Sequence, residues 1–369
     1  MGLPAARAAL LGLVLGAGAL GATTYGPPTR PGGPTAQPSG PAPEIIRVSG
    51  TAYVSLRGIA RQLGMRTDDG SGGRVHTLSD GRHRARFEAD GREVLVDGLR
   101  LFLGDPAIGR DGDLLVSRVD FERRLLPLLR PGLAGPPPGP PRVIAIDPGH
   151  GGSDHGTENR RLGLMEKTFT LDVGLRLKRL LEQQGYRVVM TRVDDTRLAP
   201  DQTTDLQRRA EAANLAGADL FLSIHFNSVP QDTRTHGTEV YSFPPQYQRS
   251  SASWQGGEDD SEREASSANR NDRWNAVFAH ALHRELLRAL RTDDRGEKLR
   301  HLGVLRGLQC PGALAECAFL SNDAEALRVA TPGFREQVAE ALDAGIRAYG
   351  SELAELRSGV GGAAGGQGR

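Results

Sequence analysis

The chain is poor in cysteine. Only Cys310 and Cys317 occur among its 369 residues, so neither a disulfide framework nor a Cys-x-x-Cys zinc pair is available. The two thiols flank the start of an expected strand. They can bridge, but the reading favoured here is one loop thiol and one buried strand thiol. No charge of one sign dominates. Charged residues make up 25% of the chain and the formal net charge is +1, which excludes a broad field that recruits nucleic acid or acidic lipid. Lysine is scarce and arginine carries the positive charge, a compositional bias rather than a binding surface. Hydrophobic runs of membrane-spanning length are missing as well. The apolar stretch at 8–22, behind Arg7, is too short for a comfortable span. With small residues at Ala17–Ala19 and Gly21–Ala22, residues 1–22 read as a secretory signal segment, an uncleaved anchor being the alternative. No cysteine follows it, so a lipoprotein anchor is not expected. The expected location is outside the cytoplasm, in the periplasm or cell envelope, with no membrane contact beyond this segment.

Pro- and Gly-rich stretches divide the rest. Residues 23–44 read as a disordered spacer, and PGLAGPPPGPPR at 131–142 as a Pro-rich linker. Polyproline geometry of about 3.1 Å per residue would let that linker hold its neighbours roughly 35 Å apart. Residues 45–130 are expected to form a small α+β unit. In AYVSLRGIARQLGM a strand runs into a helix, with Leu56, Ile59, Ala60 and Leu63 at helical spacing. Short alternating segments punctuated by Asp-Gly pairs follow, which are hairpin signals. This region loosely resembles the copper amine oxidase N-terminal-like domain of envelope proteins, which implies a scaffold or wall-contacting role. His76 and His83 are isolated, and both are expected as solvent-exposed strand residues rather than copper ligands.

Residues 143–352 alternate strands with helices. Strands are expected at 143–147, 186–192, 219–225, 237–243 and 313–319, and helices at 166–184, 206–216, 275–291 and 334–349. That pattern predicts an α/β fold, a mostly parallel sheet flanked by helices. Residues 353–369 are expected as a disordered tail. The polar stretch 244–273 interrupts the pattern. It is expected near the cleft, as a disordered insertion, a lid or an inhibitory segment.

Four residues carry the chemistry. His150 lies in VIAIDPGHGG and His225 in DLFLSIHFNS, each after a run of apolar β-formers; Glu316 lies in GALAECAFLSN. In an open α/β sheet, strand ends on the carboxyl side converge on one crevice. Two imidazoles and a carboxylate, Glu166 at the start of a helix, make a three-ligand zinc site with one open position. The set leaves a net charge near +1 on the ion, enough for hydrolytic chemistry. Glu316 off the metal is placed to take a proton and pass it to a leaving amine. Alternation puts Cys317 on the opposite face, as packing.

Taken together, IDPGHGG, a glutamate sixteen residues on, ADLFLSIHFNS and the P-x-x-L-x-E-x-x-F-L-S-N stretch resemble the zinc-dependent N-acetylmuramoyl-L-alanine amidases of the cell-wall hydrolases. The resemblance implies one Zn²⁺ held by His150, Glu166 and His225, with Glu316 catalytic. It also implies cleavage of the amide between N-acetylmuramic acid and L-alanine of peptidoglycan, in wall remodelling or daughter-cell separation. In related amidases an insertion can block the zinc cleft until a partner removes it. Under that reading a protein activator would act on 244–273, with Glu258, Glu262 or Glu264 capping the metal.

Neighbouring residues have their own readings. Asp147 either orients His150 or serves a turn. Gly149, Gly151 and Gly152 allow a tight turn. Arg209 and Asn214, in R-x-x-x-A-N, are expected in structural bonding. Asn227 is a candidate substrate contact. His155, His236, His280, His283 and His301 carry no expected role, although His280 and His283 sit one helical turn apart, as a metal pair would. The competing functions are a zinc peptidase or deacetylase of the wall, and a non-catalytic wall-binding protein.

Overall fold

The structure, a computed structural model, describes residues 40–70, 73–229, 231–251 and 260–364. The signal segment, nearly all of the spacer and the centre of the 244–273 insertion lie outside the described residues. No described helix is long and apolar enough to cross a membrane.

Local sequence accounts for the first unit. Strands β1 (Ile45–Val48) and β2 (Thr51–Ser55) lead into helix α1 (Leu56–Leu63). Ser55 caps α1 by accepting from the Gly58 amide, and Gly64 ends it at φ +63. The helix buries Leu56, Ile59, Ala60 and Leu63, the predicted stripe. Strands β3 (Arg66–Asp69), β4 (Val75–Ser79), β5 (Arg84–Glu88), β6 (Glu93–Val96) and β7 (Leu99–Phe102) form an antiparallel meander. Strands β8 (Ile108–Arg110) and β9 (Asp113–Ser117) form a further hairpin. The Asp97-Gly98 and Asp111-Gly112 turns have positive φ at both residues, as tight hairpin turns require. A helical segment, α2 (Arg118–Asp120) and α3 (Leu126–Leu129) joined by a π-turn, closes the unit.

The second unit contains β10 (Val143–Pro148), the short pair β11 (Glu158–Asn159) and β12 (Leu164–Met165), α4 (Glu166–Gln183), β13 (Arg187–Met190), α5 (Gln202–Leu215), β14 (Leu220–Asn227) and β15 (Thr238–Ser242). It continues with α6 (Asp272–Leu290), β16 (Asp294–Leu299), α7 (Gly303–Arg306), β17 (Gly312–Phe319), α8 (Asp323–Ala330) and α9 (Pro332–Ala364). Strands β13, β10, β14 and β17 are parallel neighbours in that order, and β15 joins β17 antiparallel. Helices α4, α6 and α9 pack with Leu222, Ile224 and Phe226 on one face; α5 and α7 pack with Phe221 and Leu314 on the other. The expected α/β class therefore holds, with a mixed sheet: β15, β16 and β7 are again parallel neighbours, and the meander beyond β7 is antiparallel.

Four expectations need correction. The linker does not separate the units: β7 pairs with β16 through Leu101 and Glu297, so one eleven-stranded sheet runs through both. Composition gives a segment's stiffness, not whether its flanks dock. The last helix continues to Ala364, because Leu353 extends the buried stripe of Leu342, Ile346 and Tyr349 by a further turn. Strand β16, DRGEKL, was not foreseen; its residues are polar and show no apolar alternation. Finally, the described parts of 244–273 lie away from the cleft. Since β15 is antiparallel to β17, with Tyr241 opposite Leu314 and Glu239 opposite Glu316, its last residue sits at the amino edge of β17. From there the chain straps onto the first unit. Gln248 is fully buried and donates to Ser117, and Arg92 donates to the carbonyls of Ser250 and Ser251.

Asp272, which opens α6, gives this strap junction a pH signature. Burial raises its carboxyl to about 6, even with Asn269 donating to it at 3.0 Å. The folded state therefore binds the proton more tightly than the unfolded one. Stability falls as pH rises from about 4 to about 6, and the penalty is complete above that window. Asp272→Asn should raise stability by about 1–2 kcal/mol at pH 8, with the gain vanishing below pH ~4. Thermal unfolding across that range checks both the sign and the window.

Candidate metal centre

His150 lies just past the end of β10, at φ +64, a backbone setting that few non-glycine residues adopt. Two buried arginines fix that loop. Arg192 donates to the carbonyls of Pro148 and Gly149, each at 2.9 Å, and Arg209 to those of Pro148 and His150, at 3.0 and 2.8 Å. Arg209 also pairs with Asp147 and Asp205, at 2.8 and 2.7 Å. Asp147 is saturated by Arg209, Thr191 and Ser223, so it anchors the turn and does not touch the His150 ring.

The glycines of the loop act in two ways. Gly151 and Gly152 have positive φ. Gly149 is needed for space instead: a Cβ there would lie 2.2 Å from the His225 ring. Gly156 combines both needs: its φ is +67, and a Cβ would meet the His150 ring at 2.5 Å and Glu166 Oε2 at 2.6 Å.

Glu166 is the first residue of α4 and is buried, 3% exposed. Its Oε1 accepts from the Phe226 amide at 3.0 Å and faces His225 Nδ1 at 2.9 Å. Its Oε2 accepts from the Thr157 amide at 2.7 Å and faces His150 Nε2 at 3.1 Å. Ligand atoms of His150, Glu166 and His225 all lie within 4.8 Å of one another, the one such three-residue group found among the described residues. The two imidazoles meet edge to face at 4.9 Å. Burial alone would raise the Glu166 carboxyl, but the hydrogen bonds and fields of the two imidazoles hold it well below the ordinary range.

The electrostatics ask for a cation. Burial would lower His150, yet its hydrogen bonds to Asp154 and Glu166 raise it to about 10. A site that clings to protons so strongly has a surplus of negative field. Two neutral imidazoles and a carboxylate are also the donor set that suits Zn²⁺. These residues fit the ion.

Asp154 was not foreseen. It faces His150 Nδ1 at 2.9 Å, on the ring side away from Glu166. An acid four residues after the histidine, in a glycine-rich turn, was the available signal. Such a partner fixes tautomer and ring orientation. Asp154→Ala should weaken zinc affinity about 10–100-fold, as read by competition with a chromophoric chelator; an unchanged affinity would remove Asp154 from the site.

Glu316 stands next to this group, paired in register with His225 across β14 and β17. Its Oε2 is buried and has no hydrogen-bond partner among the described residues. Burial, then the negative charges of Glu166 and Glu239, push its carboxyl well above the usual range. Cys317 points to the opposite face and is buried in the core; both cysteines are free thiols.

The remaining predicted residues lie elsewhere or serve structure. Asn214 bonds the Gly307 carbonyl and the Gln309 amide. Asn227 donates to Glu239 at 3.3 Å. His155 pairs with Glu158 and His236 with Asp293. His280 and His283 face different acids, Glu297 and Asp294, so they do not form a metal pair. His76, expected exposed, is 3% exposed and faces Asp69, because β4 lies inside its sheet; His83 faces Asp97. Glu262 is held by Arg306 at the strap, with His301 beside it, so it does not cap the metal. Glu264 is exposed and outside the three-residue group, and Glu258 lies outside the described residues.

Residues 144–348 match the family described as N-acetylmuramoyl-L-alanine amidase. The chain belongs to this amidase family. Its members are hydrolases, and this domain holds both the three-residue group and Glu316. The germination-specific N-acetylmuramoyl-L-alanine amidase of Bacillus subtilis is 32% identical over 220 residues, which cover 57% of this chain and 81% of that protein. The amidase LytC of the same species is 30% identical over 207 residues, covering 56% of this chain but only 35% of LytC. Among solved structures, the catalytic domain of the amidase CwlV from Bacillus (Paenibacillus) polymyxa is 31% identical. It covers 56% of this chain and 97% of that one, with a TM-score of 0.44.

Proposed function

We propose that this chain is an exported zinc enzyme that hydrolyses the amide between the lactyl group of N-acetylmuramic acid and the L-alanine of peptidoglycan stem peptides. It would act in wall remodelling or daughter-cell separation. The observation that carries the reading is a buried, unpartnered carboxylate oxygen on Glu316 beside a His-Glu-His group. His150, Glu166 and His225 would hold the metal. A zinc ion there supplies Lewis acidity, drawing charge from a carbonyl oxygen and acidifying water.

The chain's own residues supply the rest. Backbone amides of Thr157 and Phe226 lock the Glu166 carboxylate, while Asp154 orients the His150 ring. Glu316 takes a proton from the attacking water and returns it to the departing nitrogen. Burial raises the proton affinity of its carboxylate, which suits the uptake step. The small first unit, fused to the same sheet, serves as a wall-contacting scaffold.

The test uses full-length protein, loaded with zinc, on purified sacculi. Mass spectrometry should find released peptides with a new L-alanine amino terminus and glycan with a free lactyl carboxylate. Released acetate, cleavage within the peptide, or intact sacculi would overturn the reading.

A further inference from the structure

His225, Glu316 and Glu239 stand in one row across three adjacent strands, His225 opposite Glu316 and Glu316 opposite Glu239. The next strand, β16, brings two cations to the end of that row. Arg295 Nε and Lys298 Nζ each lie 2.7 Å from Glu239 Oε1. Glu239 Oε2 accepts from the Tyr241 hydroxyl at 2.5 Å and from Asn227 at 3.3 Å. The carboxylate is buried, its side chain 3% exposed, while Arg295 and Lys298 keep 34% and 20% of theirs exposed.

Both cations contact Glu239, and their partly exposed heads place positive charge at the solvent side of the cluster. Arg295 donates to Glu239 through Nε, and its outer guanidinium nitrogens have no hydrogen-bond partner among the described residues. Phe319 lies under the guanidinium at 5.0 Å, and Phe102 and Tyr241 lie near the ammonium at 5.7 and 6.0 Å. The two heads are thus held in place yet open to a ligand, and a guanidinium fork of this kind suits a carboxylate.

We propose that Arg295 and Lys298 form a subsite for the carboxylate borne by the second residue of the stem peptide, with Glu239 as the residue that positions both cations. This rests on the hydrolase reading above. Reach supports it. Neighbouring strands are about 4.8 Å apart, so β16 lies roughly 10 Å from the Glu316 strand. An extended chain advances about 3.5 Å per residue, so a side-chain carboxylate on the second residue spans that distance.

The test compares two synthetic N-acetylmuramoyl peptides, identical except that the second residue carries a free carboxylate in one and a primary amide in the other. Zinc-loaded full-length protein should favour the free acid about 10-fold in kcat/KM, mainly through KM. Arg295→Gln and Lys298→Gln each keep a donor for Glu239 and leave it one cation. In both, the ratio between substrates should collapse toward one. Equal rates for the wild type, or variants that lose both substrates in proportion, would overturn the subsite. Binding of the two peptides to Glu316→Gln, measured by calorimetry, gives the same comparison without turnover. Failure of the wild type to cleave either peptide counts against the reaction; equal affinities count against the subsite.

Discussion

Glu316→Gln is expected to lower kcat by about 10²–10⁴-fold, the usual worth of a positioned general base, while zinc affinity and thermal stability hold. The amide matches the carboxylate in size, so the packing around β17 survives. It can still accept a hydrogen bond from water, but it cannot take the proton. It also removes a buried acid whose charged form is disfavoured by burial and by Glu166 and Glu239. Folding should therefore be unharmed, or slightly helped, at neutral pH. Activity on sacculi, read beside zinc stoichiometry and a melting curve, checks all three parts. A variant that keeps zinc and activity would show that another group moves the proton.

Glu166→Ala should abolish activity and zinc binding together. This carboxylate joins the site to its frame, accepting from Thr157 and Phe226 amides while facing both imidazoles. Its loss strands two backbone donors and takes away the negative charge between the rings. The signature is a lost linkage. Zinc at 100 times its dissociation constant should stabilise the wild type by about 2.7 kcal/mol and leave the variant's melting temperature unmoved. Chelation of the wild type should reproduce the variant's inactivity, and restored zinc should rescue only the wild type. A zinc-induced shift of normal size in the variant would exclude Glu166 as a ligand.

Much of the centre was legible because strand burial and strand chemistry share one text. The runs before His150 and His225 are apolar on both faces, which marks inner parallel strands, and each motif follows where such a strand ends. What composition does not encode is direction and docking. Nothing in GTEVYSF says that β15 runs against β17, yet that single reversal carries the 244–273 segment to the far edge. Strand β16 stayed hidden for a related reason. It owes its place to partners on both sides, β15 and β7, rather than to apolar residues of its own. Arg192 reads as a surface residue by type, and only its carbonyl partners in the loop before His150 explain its burial. Asp154 is readable from its spacing, four residues after His150 in a glycine-rich turn.

The pairing of Leu101 with Glu297 also governs how the molecule can be dissected. A fragment beginning at Val143 would lose the meander that shields β16 and present that strand's free amides and carbonyls to water. Bare borders of this sort invite other chains to add themselves. In the intact chain the amino-terminal unit covers that border through β7.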